Sequence, residues 1–196
     1  MPSPVIALPP QAPRTRSAFG RWLGRTILRL GGWRMEGEFP DLPKLVILAA
    51  PHSSGWDAVW GLAAKLALGV DVRFMGKAEL FSGPLGWLLR TIGGIAIDRH
   101  APRGVVGQMS REFAAVDRLW LAIAPEGTRR RVERWRSGFW HIARGAGVPV
   151  LCAYFHYPRR VVGIGALFEL SDDLEADMAR IRAFYRPWVG KHRGTV

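Results

Sequence analysis

Cysteine is nearly absent: Cys152 is the only one in 196 residues, which excludes an internal disulfide framework and any multi-cysteine metal site and suits a reducing compartment. It falls in an apolar, strand-like run, where burial would make it a small hydrophobe rather than a nucleophile. No stretch approaches the ~18 uninterrupted apolar residues that a spanning helix needs. Residues 1–13 hold five prolines and too short an apolar stretch for a secretory signal. The expected location is therefore peripheral, at the cytoplasmic face of a membrane, with no transmembrane span and no signal peptide. Acidic residues are also scarce, 16 against 28 Lys and Arg, leaving a formal net charge of +12. Such a balance attracts anions, whether nucleic acid, anionic lipid or phosphorylated small molecules.

What is present fits one ordinary domain. A hydrophobic content of 48% excludes global disorder, and nine tryptophans suit either a core or a lipid headgroup layer. Residues 1–16 form a proline-rich leader, flexible or extended. Residues 17–34 form a basic amphipathic segment in which Phe19, Trp22, Leu23, Ile27 and Leu30 recur at helical spacing and Arg21, Arg25 and Arg29 form a second row. Two readings fit it: a helix lying in the headgroup plane, or one packed on the domain with its arginines in water. Its terminal position favours the membrane.

From 35 to 196 strands and helices alternate. Strand-like runs at 45–50, 72–75, 95–97, 119–124 and 148–155 are separated by helical stretches, with a probable edge strand at 161–164 and a closing helix to about Tyr185. The expected fold is a single α/β domain with a mixed, largely parallel sheet flanked by helices, preceded by the basic amphipathic helix.

Three strand ends carry polar groups. After the first, Pro51-His52-Ser53-Ser54-Gly55-Trp56-Asp57 sets an imidazole and a carboxylate five residues apart. On one helix that offset turns them about 140° from a shared face, so His52 must sit in the loop and Asp57 in the first turn. Asp57 can then fix the imidazole tautomer and leave its other nitrogen as a base. Ser54 to Asp57 also reads as a helix capping box, with no chemistry implied. After the strand at 95–97 come Asp98 and Arg99, suited to site architecture and phosphate contact or to a structural ion pair. After the strand at 119–124 come Pro125, Glu126, Gly127, Thr128 and Arg129 to Arg131, where guanidinium forks match phosphate oxygens and Gly127 permits close backbone approach. A solvated basic turn has the same composition.

In their order, His52/Asp57, then Gly93 to Arg99, then Pro125 to Arg129, then Val148-Pro149-Val150, these motifs resemble the lysophospholipid (glycerolipid) acyltransferase family over about 45–155. Pro51, Ala124, Arg130 and Cys152-Ala153 depart from its usual pattern.

The resemblance implies transfer of a fatty acyl group from an acyl thioester, acyl-CoA or acyl carrier protein, to a hydroxyl of a lysophospholipid such as lysophosphatidate, or of another lysolipid or amino-acid lipid. His52 would be the general base and Asp57 its partner. Arg99, Arg129 and Lys77 would hold the acceptor phosphate, with Glu126, Gly127 and Thr128 shaping that site. Coenzyme A or the carrier protein enters as co-substrate; no cofactor, metal or nucleic acid is expected, and an anionic membrane surface is. Two other classes remain: a non-catalytic module binding membrane or nucleic acid through its charge, and a lipid hydrolase using Ser53 or Ser54, for which the chain lacks a G-x-S-x-G elbow.

Overall fold

The architecture follows from one strand. The segment KLVILAA at Lys44–Ala50 has no polar residue after its lysine, and a strand of that kind is stable when both faces are covered. Val46, Leu48 and Ala50 enter one apolar core, while Leu45 and Ile47 enter another.

The computed structural model describes residues 6–97, 104–127, 132 and 134–192. Its elements are α1 (Ala18–Leu30), β1 (Arg34–Glu36), β2 (Lys44–Ala50), α2 (Trp56–Leu68), β3 (Val72–Lys77), a short 3-10 turn (Ala78–Phe81), α3 (Gly83–Thr91), β4 (Gly94–Ile97), α4 (Gly104–Ala115), β5 (Leu119–Ile123), α5 (Gly138–Ala146), β6 (Val150–His156), β7 (Val161–Phe168) and α6 (Leu174–Tyr185). The strands make one sheet in the order β1-β7-β6-β2-β5-β3-β4. β6, β2, β5, β3 and β4 run parallel; β7 is antiparallel to β6, and β1 parallel to β7. This is the mixed, largely parallel α/β sheet that the alternation of elements implies.

Handedness sorts the helices. The connections through α2 and α3 step toward the β4 edge, and those through α4 and α5 step back. Right-handed crossovers therefore place the two pairs on opposite faces. α1 joins α2, and the α6 side chains Ile181 and Tyr185 join the α4–α5 core. Tyr185, fully buried, donates to Leu48 O at 2.7 Å and is 3.0 Å from Ala153 O, pinning α6 to β2 and β6. Cys152 lies in the same core, and burial pushes its thiol up to about 12 against the opposing hydrogen bond with Tyr185, so it packs as a hydrophobe.

Two expectations need correction. The 161–164 run is not an edge: it extends to Phe168 as β7, and β1 pairs outside it. The segment expected to be helical from 17 to 34 ends at Leu30, where Gly31 and Gly32 turn the chain into β1. Gly32 holds φ +69°, which favours glycine. Over 6–16 the proline-rich leader is packed, with a turn at 10–12 closed by Ala12 N to Pro9 O: Ala12 is buried, Thr15 N donates to Gly69 O, and Arg14 bridges Val70.

α1 meets α2 in an unexpected rotation. It docks through Gly20, Gly24 and Leu28, three of its smallest or most buried positions, and turns Phe19 (68% exposed), Trp22 (60%) and Leu30 (83%) outward. At 100° per residue the outward side lies roughly opposite the glycine stripe, with Arg21, Arg25 and Arg29 between them. A β-carbon on Gly24 would lie 2.4 Å from Ala67 N and 2.5 Å from Ala63 O, so a side chain there must force the helices apart. Gly24→Leu is expected to destabilise the protein by about 1–3 kcal/mol. Gly138→Ala, with no atom within 4 Å of the new carbon, should leave stability essentially unchanged. Urea unfolding of both variants checks this.

Candidate active site

Because β2, β5, β3 and β4 are parallel neighbours, their carboxyl ends share one edge of the sheet, where open α/β sheets bind ligands. The chain leaves β2 through a cis Ala50-Pro51 bond and passes into the loop bearing His52. That loop is tied at both ends. Glu126, buried after β5, accepts the His52 N–H through Oε1 at 2.8 Å. Asp57, in the first turn of α2, accepts the N–H groups of Ser53 and Ser54 through Oδ2, each at 2.7 Å.

The same Oδ2 lies 3.4 Å from His52 Nδ1, the imidazole being 25% exposed and the carboxylate fully buried. Catalytic contacts are often long before substrate binds. The other carboxylate oxygen, Oδ1, accepts the Tyr157 hydroxyl at 2.5 Å. Burial raises the Asp57 pKa, but the hydrogen bonds from His52, Tyr157 and Ser54 outweigh it and hold the carboxyl below the usual range. Asp57 is thus an anion presenting an oxygen to Nδ1, which leaves Nε2 free to act as a base.

The capping reading is half realised. Asp57 reaches back to the Ser54 N–H, but the Ser54 hydroxyl accepts from Trp56 N at 3.2 Å rather than from Asp57 N. The Ser53 hydroxyl accepts from His192 N at 3.3 Å. Both serines are buried and used by backbone amides, an arrangement that offers the hydrolase reading no activated nucleophile.

His52 and Asp57 open into an apolar cavity of about 480 Å³ between α2 and the sheet, whose walls include Ala58, Leu62, Leu68, Phe74 and Ile92. Lys65 lies along it with Nζ 2.5 Å from Ile92 O. A second cavity of about 520 Å³, on the α4–α5 side, is lined by Val105, Val106, Phe139 and Ile142 with Arg136 and Gly127 near Pro125. The two share Met75, Ile123 and Ala124. Gly127 holds φ +64°, and a β-carbon on it would lie 2.7 Å from Arg136 Nε, so glycine there serves both the turn and the arginine above it.

The sheet therefore brings together His52, Asp57, Glu126 and Gly127. Lys77 ends β3 opposite Ile97 in the ladder, and its side chain lies outside the described residues, as do Arg99, Thr128 and Arg129. Tyr157 was not visible from the sequence: it is 100 residues from Asp57 and belongs to no spaced motif. Among the described residues, no three His, Cys, Asp or Glu side chains cluster as a metal site would require, and no helix is long and apolar enough to cross a membrane.

Residues 38–156 match the family described as Acyltransferase. A 1-acyl-sn-glycerol-3-phosphate acyltransferase of Pseudomonas aeruginosa is 28% identical over 143 residues, covering 68% of this chain and 52% of that protein. The chain thus spans about half the length of that curated relative. The crystal structure of the 1-acyl-sn-glycerophosphate (LPA) acyltransferase PlsC from Thermotoga maritima aligns with a TM-score of 0.57 at 16% identity, covering 86% of this chain and 79% of that one. At that identity the likeness is one of fold.

Proposed function

The chain belongs to the acyltransferase family, and from that premise we propose that it moves a fatty acyl group from an acyl thioester, acyl-CoA or acyl carrier protein, to a hydroxyl of a lysophospholipid such as lysophosphatidate. The observation that carries this reading is a buried carboxylate set behind a part-exposed imidazole at the mouth of an apolar cavity. Charge at the rim and hydrocarbon space within suit a substrate that has both.

His52 Nε2 takes the proton of the acceptor hydroxyl as its oxygen attacks the thioester carbonyl. The C–S bond then breaks, the new ester C–O bond remains, and the proton passes from the imidazolium to the departing thiolate. Asp57 balances the imidazolium while it lasts. Glu126 keeps the His52 loop in place through its amide. Arg99, Arg129 and Lys77, carried over from the motifs, hold the acceptor phosphate, where Arg forks and a Lys point charge suit its oxygens. The aliphatic chain of the donor occupies the cavity under α2.

Membrane contact has its own support. Large exposed apolar residues gather on the α1–α2–α3 side: Phe19, Trp22 and Leu30 on α1, Trp56 and Val59 on α2, and Leu85, Trp87 and Leu88 on α3. The exposed Arg25 and Arg29 border the α1 group, and each such charge near an anionic surface contributes about 1 kcal/mol.

The test is transfer of a radiolabelled acyl group from acyl-CoA and from acyl carrier protein to a panel of lysolipids, with vesicle sedimentation alongside. Expected are transfer to lysophosphatidate, binding to anionic vesicles, and at least tenfold weaker binding for Phe19→Ser/Trp22→Ser. Salt-sensitive polyanion binding without transfer to any acceptor would replace this reading with a non-catalytic module.

A further inference from the structure

Tyr157 lies just beyond β6, in the turn that leads to β7. Its N–H donates to Val189 O at 2.9 Å, and its ring meets Trp33 edge-on at 4.8 Å and 87°. Trp33 in turn stacks on Trp60 at 5.0 Å and 22°. Backbone and ring are thus both held, which fixes where the hydroxyl points.

The hydroxyl donates to Asp57 Oδ1 at 2.5 Å, and a carboxylate oxygen can only accept, so the phenol proton is directed at the carboxylate. Asp57 consequently divides its work. Oδ2 gathers the two loop amides and faces His52, while Oδ1 accepts the Tyr157 hydroxyl.

We infer that Tyr157 is a positioning residue of the His52–Asp57 pair, fixing the carboxylate so that Oδ2 stays on the imidazole and moderating its basicity. This rests on the catalytic reading above. Trp60, three residues after Asp57 on the same helix, backs the Trp33 ring that orients the phenol. Burial and the bond to Asp57 push the Tyr157 phenol well above its ordinary range, so it remains a donor at any pH at which the enzyme works. Among the described residues, the titratable groups facing the carboxylate are His52 and Tyr157. Glu126 lies behind the His52 amide, Lys65 is in the cavity wall, and Lys191 sits over the Trp56 ring at 5.4 Å.

The experiment compares the full chain with Tyr157→Phe, which keeps the ring and removes only the donor. The measurements are kcat, KM and the pH profile of acyl transfer to lysophosphatidate, with carboxyl NMR of Asp57 in both proteins. The expected result is an unchanged KM, a kcat lower by about ten- to a hundredfold, and an acid limb of kcat/KM displaced to higher pH. The displacement follows because a carboxylate that loses a donor is more basic and holds the imidazolium proton more tightly. The Asp57 carboxyl should titrate at higher pH as well. Wild-type kcat and an unmoved pH profile in the variant would overturn the inference. If the wild type itself transfers nothing, the function assignment fails separately, and the NMR titration still decides the role of Tyr157: an unmoved Asp57 refutes it. Should Tyr157→Phe not fold, Trp60→Phe loosens the ring stack that aims the same donor. It is expected to shift Asp57 in the same direction by less, and the absence of any shift counts against the proposal.

Discussion

His52→Ala is expected to lower kcat/KM for acyl transfer by about 10²–10⁴-fold while leaving vesicle binding and the unfolding midpoint near wild type. The reason lies in how the loop is held. Glu126 takes the backbone N–H of residue 52, and Asp57 takes those of Ser53 and Ser54, so the loop keeps its shape whatever side chain residue 52 carries. Only the imidazole is lost. The exposed apolar side chains proposed to meet the membrane are on α1, α2 and α3, outside the His52 loop, so binding should survive. Paired measurement of steady-state transfer and vesicle sedimentation checks this; a variant that retains activity within a few-fold would remove His52 from the mechanism.

Asp57→Asn carries the second large effect, on rate and on stability. The carboxylate has two accepting oxygens and both are used, Oδ2 by Ser53 and Ser54 and Oδ1 by Tyr157. An amide of the same shape has one accepting oxygen. With it on the loop amides, the NH₂ meets the Tyr157 hydroxyl and nothing balances an imidazolium. By analogy with the same exchange in a Ser-His-Asp triad, kcat should fall by about 10³–10⁴-fold.

The stability effect has a defined pH window. The folded-state pKa of Asp57 is lowered from its ordinary 3.8, so the ionised carboxylate stabilises the fold fully above that value. The contribution is lost as pH falls through the lower folded value. The stability margin of wild type over Asp57→Asn should therefore be constant from neutrality down to about pH 5 and shrink below the ordinary value. Urea midpoints at pH 7 and pH 3 measure the two ends of that window.

Much of the domain is legible in the sequence because its central elements obey strong local rules. The KLVILAA run has no polar face, so it reads as an interior parallel strand, and the loop glycines and prolines separate it from the helices on either side. His52 and Asp57 are close in sequence, and a five-residue offset has few local geometries that bring them together. β1 is hidden for the opposite reason: Arg34-Met35-Glu36 is three residues long, too short for its polar-apolar-polar alternation to mark a strand, and has no β-branched residue. It is a strand because β7 offers it a ladder. Without it, the 161–164 run looks like a short edge strand. Tyr157 and the hold of Glu126 on the His52 amide depend on contacts across 100 and 74 residues, which no local pattern encodes. The rotation of α1 was obscured differently, since period alone finds an apolar side but does not tell which side docks. Gly20 and Gly24 select the docking side because they let two backbones approach so closely.

That close approach has a mechanical consequence. A helix joined to its domain through an apolar seam can roll or lift as lipid competes for the same side chains. α1 is seated on α2 by backbone contact at Gly24, with the buried Leu28 beside it, and keeps Phe19, Trp22 and Leu30 out of the joint, so lipid has little there to compete for. It behaves as a keel cast in one piece with the hull rather than a float on a line. On the proposed function, whatever depth and tilt it adopts at an interface would be imposed on α2, whose first turn carries Asp57, and so the mouth of the apolar cavity would keep a fixed height and bearing over that surface.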